Sequence, residues 1–276
     1  MRRTGDPVMK DLYKLTELIQ LPAEAVEMLR HTDIGISKTE TENFCKMFCD
    51  KEKYNQAYNE LKTALKDDND GWKMLKVLLL SALNTYSLYL EKGINENIYT
   101  DTMKCFSRFV REHFASYGRY GFDRGFWVGR QLSLTLFRIG ELEYELYLHE
   151  GEKVVSLHIP SDADLSPEKI SASVSEAQDF LNKYYPDYAD RKKMCYSWLL
   201  SPALKNLLPE NSRILSFAAR FEIVKTDENA EGYKQWVFKN KNLKPEDFPE
   251  TTTLQKNMKK YVLSGGKIGE SLGFFK

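Results

Sequence analysis

The stretch covering residues 154–207 constrains the fold most, because its pattern predicts a strand, a loop, a helix, a second strand and a short helix in immediate succession. The first strand begins at Val154 and ends before Pro160, since proline cannot donate a hydrogen bond to a sheet. Ser166 then provides a helix cap, and Pro167 provides a first helical residue with a pre-set backbone angle. A chain that turns from strand to helix and back in this way must lay the helix on a sheet.

The helix after Pro167 and the strand that follows it both have clear apolar patterns. One face of the helix carries Ile170, Val174, Ala177, Phe180, Leu181 and Tyr184. These residues recur at steps of three, four and one, which is the spacing of a single face of an α-helix. The second strand is predicted to run from Cys195 to Leu200, with a short helix through Leu204 and Leu207 behind it.

The N-terminal part of the chain has helical spacing from about Met9 to Tyr117. Within it, the run Trp72–Leu90 is apolar on nearly every side, which predicts a central helix packed on several faces. Glycines and bulky aromatic residues alternate over residues 118–130, and we expect the domain junction there. The predicted organisation is an all-helical domain, residues 1–118, followed by a second domain, residues 119–276.

The rest of the second domain is predicted to consist of hairpins and one helix. Period-two apolar residues within Phe137–Leu148 predict a strand that turns back into the first strand described above. Residues 214–224 and 235–238 suggest a second hairpin, and residues 253–263 a last helix. The glycine-rich residues 264–273 fit either a flexible tail or a strand near a cleft.

The charge balance creates no global electrostatic field, because forty lysines and arginines match forty aspartates and glutamates. Nucleic acid and anionic membranes are therefore not favoured as partners, since both are bound through excess positive charge. Arg119, Arg124 and Arg130 are interleaved with aromatic residues, but the glycines among them favour close packing over a nucleic-acid surface. No apolar run is long enough for a membrane span, and we expect a cytoplasmic protein; the oligomeric state is left open.

Four short segments of the second domain resemble a known family. They are Arg138–Glu145, Leu157–Pro160, Ser197–Leu200 and Ser212–Phe217. With the order of the elements, they are similar to the GNAT-like C-terminal domain of a bacterial acyltransferase family, in which that domain follows a helical N-acyltransferase N-terminal domain. The resemblance covers nearly the whole chain. It implies an α+β fold, in which an all-helical domain precedes a mixed, mostly antiparallel sheet flanked by helices.

The same resemblance implies an N-acyltransferase whose co-substrate is acetyl-CoA or another acyl-CoA and whose acceptor is a small-molecule or peptide amine. Cofactor binding is expected where the strand ending at His158 and the strand through Ser197 splay apart, because exposed backbone groups there can hydrogen-bond an acyl-pantetheine arm. The helix N-terminus near Ser166 would face the pyrophosphate, since free N–H groups and the helix dipole favour an anion. The expected cofactor-binding residues are Ile159, Ser161, Ser166, Tyr196, Ser197 and Trp198.

Several of these positions also have a structural interpretation. Trp198 is typical of a side chain that fills a core under a helix, and Ser197 can cap the helix that follows, although Ser201-Pro202 is the more favourable cap. Asp162 and Asp164 stand where the wider superfamily has a glycine-rich phosphate loop, and they would repel phosphate unless they point away. The alternative hypothesis is therefore a non-catalytic GNAT-like binding or regulatory module that has lost CoA binding.

His158 is the first candidate for a catalytic base, because histidine titrates nearest physiological pH and an amine acceptor must lose a proton. The competing interpretation is a structural histidine that hydrogen-bonds a loop carbonyl. Glu143 and Glu141, on the preceding strand, are candidates for orienting the amine or a water molecule. Their alternative is a solvated strand face.

The four cysteines predict reduced thiols rather than disulfides. Cys45 and Cys49 lie four residues apart on a predicted helix, but without further ligands this pair indicates two small buried side chains, and we predict no metal site. Cys195 together with His158 would suggest a thiol hydrolase. Its position in an apolar strand lacks the cationic setting that activates a thiolate, so this interpretation is not favoured.

Overall fold

The computed structural model of the protein describes residues 11–276. The chain forms two compact units, of which the first ends at Arg138 and the second begins at Ile139. Within residues 11–276, no helix combines the length and the apolar character that crossing a membrane requires.

The first unit is built from helices, as predicted. They are α1 (Leu12–Leu18), α2 (Ala23–His31), α3 (Lys38–Phe48), α4 (Tyr54–Ala64), α5 (Trp72–Lys92), α6 (Glu96–Met103), α7 (Cys105–Tyr117) and α8 (Gly125–Leu132). Helix α5 packs against α1, α2, α3, α6 and α8, and its Leu75, Val77 and Leu78 are fully buried. The prediction of a central helix packed on several faces is confirmed.

The stretch of glycines and aromatic residues in which the junction was expected belongs to the first unit. Its helix α8 packs against α4 and α5. A Cβ atom at Gly125 would lie 3.0 Å from side-chain atoms of Tyr58 and Met74, so glycine allows the helices to approach this closely. The close packing that the glycines predicted is present, and the two units divide further along the chain, after Arg138.

The second unit contains a mixed, mostly antiparallel sheet with flanking helices, which confirms the predicted α+β class. The strands of the sheet are β1 (Leu136–Ile139), of which only Ile139 lies in the second unit, β2 (Leu142–His149), β3 (Glu152–His158), β4 (Lys193–Ser197), β5 (Phe221–Asp227) and β6 (Glu270–Phe275). The helices are α9 (Pro167–Tyr184), α10 (Pro186–Ala189), α11 (Arg213–Ala218), α12 (Tyr233–Val237) and α13 (Thr253–Leu263), with 3₁₀ turns at Trp198–Leu200, Pro202–Asn206 and Pro245–Asp247. The strand order is β1-β2-β3-β4-β6-β5. The β3–β4 pair is parallel, whereas the β2–β3, β4–β6 and β5–β6 pairs are antiparallel.

Strands β2 and β3 form the predicted hairpin. His149 pairs with Glu152, and the two residues between them, Glu150 and Gly151, have positive φ angles of 51° and 85°. Two successive left-handed residues are typical of a type I′ turn, whose twist matches that of the flanking strands. A tight turn of this kind fixes the register of the whole hairpin.

The predicted second hairpin, over residues 214–224 and 235–238, is wrong. Ser212 Oγ accepts the N–H of Ile214 and starts helix α11, and most of the second segment lies in helix α12. The partner of β5 is β6, which comes from the glycine-rich end of the chain and also pairs with β4. This segment is a strand inside the sheet because each of its edges satisfies the backbone hydrogen bonds of a neighbour.

Ser173 of α9 joins this helix to the start of the sheet. Its Oγ donates to the carbonyl of Ile139 at 2.5 Å, lies 2.9 Å from the Tyr144 hydroxyl oxygen and accepts the N–H of Leu142 at 3.3 Å. The helix comes so close that a Cβ atom at Gly140, whose φ is +59°, would lie 2.9 Å from Ser173 Cβ. The serine is 1% exposed, so its hydroxyl stands where water would otherwise have to satisfy these polar groups.

We predict that Ser173→Ala destabilises the protein by about 1–3 kcal/mol, because it leaves buried polar groups without a partner. Urea unfolding followed by circular dichroism measures this change. Ser175→Ala, at an exposed position of the same helix, is the control and should change the unfolding free energy by less than about 0.5 kcal/mol. Equal stability of the two variants would contradict the role given to Ser173.

Candidate functional site

The parallel pairing of β3 and β4 is short, and a gap opens where it stops. Val155 pairs with Lys193 and Ser156 pairs with Met194, and no further pair follows, although β3 continues to His158 and β4 to Ser197. The predicted separation of these two strands is therefore confirmed.

Backbone groups of β4 face this gap. Val155 N–H donates to the carbonyl of Lys192 at 3.0 Å, so the backbone polar groups of Lys192 point toward β3. Because these directions alternate along a strand, those of Tyr196 point toward β3 as well. The other edge of β4 stays paired with β6 as far as Ser197. An extended chain with amide groups can therefore add to β4 at Tyr196 by strand-like hydrogen bonds.

The register also shows which side chains share a face of the sheet. Glu143 lies opposite His158 in the β2–β3 pair, and Glu145 follows two residues later on the same face. Met194 is opposite Ser156, which places Tyr196, two residues further, on the face that carries His158. The base candidate and an aromatic hydroxyl thus flank the gap on one face.

His158 is held by a carboxylate that was not among the predicted site residues. Its Nε2 lies 2.7 Å from Oε2 of Glu145, and the two side chains are 24% and 9% exposed. Glu143, which was selected, is 2% exposed, so the alternative of a solvated strand face does not hold for it. The period-two spacing of the glutamates was the available signal for Glu145, since residues 143 and 145 of a strand must share a face.

Glu141 is connected to the loop between β3 and α9. Its Oε2 accepts the backbone N–H of Asp164 at 2.8 Å, and its Oε1 lies 3.6 Å from Nζ of Lys169. The structure therefore shows this carboxylate in a loop contact, while the contact to the imidazole of His158 comes from Glu145. The half-buried position of Glu141 suits a residue that fixes the loop.

Asp164, which was expected to repel phosphate, is paired with cations. Its Oδ1 lies 2.9 Å from Arg213 Nη1, and its Oδ2 lies 3.3 Å from Lys169 Nζ. The N–H of Ser166, followed by these cations, lowers the pKa of Asp164, and the same carboxylate raises the pKa of Lys169. Arg220 donates to Ser171 Oγ and to the carbonyl at position 167. Three cationic side chains thus lie at the first turns of α9, two of them from distant parts of the chain.

Three of the residues that were expected to bind the cofactor lie in the segment between β3 and α9. Ile159 is half-buried just beyond the end of β3, and Ser161 is exposed in the loop. Ser166 is the N-cap residue of α9, but its side chain makes no capping hydrogen bond. The cap role predicted for its side chain is therefore absent, and the N–H of Ser166 is instead held by Asp164 Oδ1 at 3.0 Å.

The residues expected on β4 have different surroundings. Tyr196 is 50% exposed, and both burial and the neighbouring Glu270 raise its pKa. Ser197 Oγ accepts the N–H of Leu199 at 3.1 Å and caps the 3₁₀ turn that ends the strand earlier than predicted. Ser201 Oγ accepts the N–H of Ala203 at 3.3 Å and caps the next 3₁₀ turn, so both serines are caps. Trp198 packs against a hydrophobic cluster that includes Leu204, as expected for a side chain that fills a core.

Cys195 is completely buried, and burial raises the pKa of its thiol to about 12. A thiol with such a pKa carries almost no thiolate at neutral pH, and the thiolate is the nucleophile. Burial likewise raises the pKa of Cys45 to about 11, and the Sγ atoms of Cys45 and Cys49 contact the carbonyl groups of Val77 and Ser81 on α5. These environments favour packing over chemistry for all three thiols.

We predict that Cys195 reacts with a thiol reagent such as DTNB at pH 8 only after unfolding, because both its burial and its pKa suppress the thiolate. Labelling of the folded and the urea-unfolded protein, followed by peptide mass spectrometry, measures this. Cys49, the least buried of the cysteines, should be labelled earlier and serves as the internal comparison. Rapid labelling of Cys195 in the folded protein would restore the thiol hypothesis.

Two protein families match the chain, one in its N-terminal half and one in its C-terminal half. The GNAT-like C-terminal domain family matches residues 136–275, and the N-acyltransferase N-terminal domain family matches residues 10–134. No curated protein matches the chain in sequence.

Similar solved structures include three acyltransferase structures. One, in complex with decanoyl-CoA and teicoplanin, has a TM-score of 0.82 and 19% identity, with coverage of 100% of this chain and 90% of that chain. A mutant in complex with octanoyl-CoA has a TM-score of 0.82 and 19% identity, with coverage of 96% and 87%. A third, in complex with CoA and 10C-teicoplanin, has a TM-score of 0.80 and 18% identity, with coverage of 100% and 90%. At such identities the likeness shows a shared fold.

Proposed function

Since the chain belongs to the GNAT-like C-terminal domain family, which matches half of its length, we propose that it is an acyl-CoA-dependent N-acyltransferase. The observation that carries the proposal is the gap between β3 and β4, with strand-like backbone groups on one side and His158 at its edge. The similar acyltransferase structures contain decanoyl-CoA, octanoyl-CoA and CoA, which supports an acyl-CoA as the co-substrate.

The residues on the shared sheet face suit amine acylation. His158 takes the proton that the acceptor nitrogen loses as it attacks the thioester carbonyl. The new C–N bond forms, the C–S bond breaks, and the leaving thiolate takes up a proton from His158 or from solvent. Glu143, buried opposite His158, orients the acceptor amine by accepting one of its hydrogens. Strand-like hydrogen bonds from Tyr196 to the pantetheine amide hold the thioester in the gap.

The phosphate groups are assigned to the first turns of α9. Lys169, Arg213 and Arg220 place positive charge there, where the backbone N–H groups of a helix start already favour an anion. Ser161 and Ser166 offer hydroxyl groups on the same loop. Because Asp164 is already paired with two cations, it does not present an isolated negative charge to the phosphate, which weakens the case for a module without CoA binding.

The acceptor is proposed to be a small molecule with a primary or secondary amine. Two of the similar acyltransferase structures contain teicoplanin or 10C-teicoplanin, which are small-molecule compounds rather than proteins. The nearly buried carboxylates on the sheet face suit an acceptor that arrives with a positive charge.

Acyl-CoA binding is tested first by calorimetric titration. We expect saturable one-to-one heats with CoA and decanoyl-CoA, and a raised melting temperature, since a ligand of the native state stabilises it. Arg213→Gln should weaken CoA binding several-fold and leave the binding of acetyl-pantetheine, which lacks the nucleotide phosphates, unchanged. Lys205→Gln, in a separate 3₁₀ turn, is the matched control. Absence of heat and of thermal stabilisation with both ligands would support the non-catalytic alternative.

Measurements of turnover test the proposed role of His158 as the general base. With an amine acceptor found by screening, His158→Ala should lower kcat by roughly 10²–10⁴-fold, the usual contribution of general base catalysis. His149→Ala, at the other end of the same hairpin, should retain the activity. Unchanged turnover in His158→Ala would remove this histidine from the mechanism.

A further inference from the structure

We infer that Glu145 is a positioning residue which fixes the tautomer of His158, so that Nδ1 is the atom that receives the proton of the acceptor. The inference deepens the proposed function and rests on it for its kinetic consequence. The observation that carries it is the contact between His158 Nε2 and Glu145 Oε2 at 2.7 Å, between side chains from adjacent strands.

The contact decides the tautomer by elementary hydrogen-bond chemistry. An ionised carboxylate can only accept, so Nε2 must carry the hydrogen and donate it to Glu145. In the neutral imidazole the lone pair is then on Nδ1, and only that atom can act as the base. Once Nδ1 is protonated, the ring is cationic, and the carboxylate stabilises this charge at close range.

The position of Glu145 makes the contact rigid. Glu145 is 7% exposed. It lies diagonally across the hairpin from His158, and its direct partner in the strand pair is Ser156. The type I′ turn at Glu150 and Gly151 sets this register, and a slip by one residue would move the carboxylate to the other face of the sheet. Backbone pairing thus fixes the strand positions from which the two side chains meet.

The other charged and titratable groups around His158 come from the neighbouring strands and the following loop. Glu143 on β2 lies directly opposite and adds a second negative charge. Tyr196 on β4 shares the face across the gap, with Glu270 of β6 beside it. Asp162 lies in the loop that follows His158. Glu145 is held against Nε2 in this setting, so its removal should change the tautomer of the neutral ring.

The first experiment is a ¹⁵N-labelled NMR titration of the histidine rings in the full chain, with His158 assigned by the loss of its signals in His158→Gln. We expect the neutral ring of the wild type to carry its hydrogen on Nε2. In Glu145→Gln the hydrogen should no longer be confined to Nε2, because a side-chain amide can donate to this nitrogen as well as accept from it. Glu152→Gln, an exposed substitution on the same hairpin, should leave the tautomer unchanged. A neutral wild-type ring with its hydrogen on Nδ1 would overturn the inference.

The second experiment measures kcat and kcat/KM for the same variants. Glu145→Gln should lower kcat roughly tenfold or more, a part of the general-base contribution, and change KM little. Glu145→Asp should recover part of the lost rate, because it restores the charge. A rise in KM with kcat unchanged would contradict the assigned role.

The two experiments separate the inference from the proposed function. If the NMR results are as expected but no acyl transfer is found with any amine, the Glu145–His158 pair is supported and the proposed function fails. If the wild type is an active acyltransferase but Glu145→Gln alters neither the tautomer of His158 nor kcat, the function is supported and the positioning role fails. Thermal unfolding of each variant verifies that a lost rate does not come from a lost fold.

Discussion

The end of the β3–β4 pairing after Ser156 and Met194 is the constraint on which the proposed site depends. Had the ladder continued, the backbone groups of Tyr196 would be used within the sheet, and His158 would be one more cross-strand residue. Because it stops, one edge of β4 is available to an extended ligand, while β6 keeps the other edge in place. The sheet thus combines a rigid strand with an open edge, which is what strand addition requires.

The two faces of this sheet are used differently. On one face Tyr144 packs under α9 through Ser173, and the apolar residues Ile170, Ala177 and Phe180 of the helix are buried. On the other face, nearly buried glutamates and a histidine replace the apolar residues that alternation would otherwise place there. Burial of ionisable groups costs free energy unless they are paired, as His158 and Glu145 are, and such buried groups cluster at functional sites.

Local patterns predicted the elements whose formation depends on neighbours in sequence. The central helix from Trp72, the last helix Thr253–Leu263 and the hairpin ending at His158 all follow from periodicity, caps and turn residues. The prediction of the second hairpin was wrong because strand pairing depends on distant partners. Strand β5 pairs with β6, and no residue near 214–238 indicates this partner. The short segment at 235–238 had strand-like residues, but it lies at the end of helix α12, where Val237 and Phe238 are part of a hydrophobic cluster.

The charge of the loop after His158 also depends on partners that are distant in the sequence. The sequence places Asp162 and Asp164 where phosphate is expected, and two acidic residues in a loop predict repulsion of an anion. The fold brings Arg213 to Asp164 across 49 residues of chain, so the local charge at the start of α9 differs from the charge of the loop itself. An electrostatic site can be judged only after its long-range partners are known. The alternation of side chains along a strand, in contrast, already placed Glu143 and Glu145 on one face of the sheet.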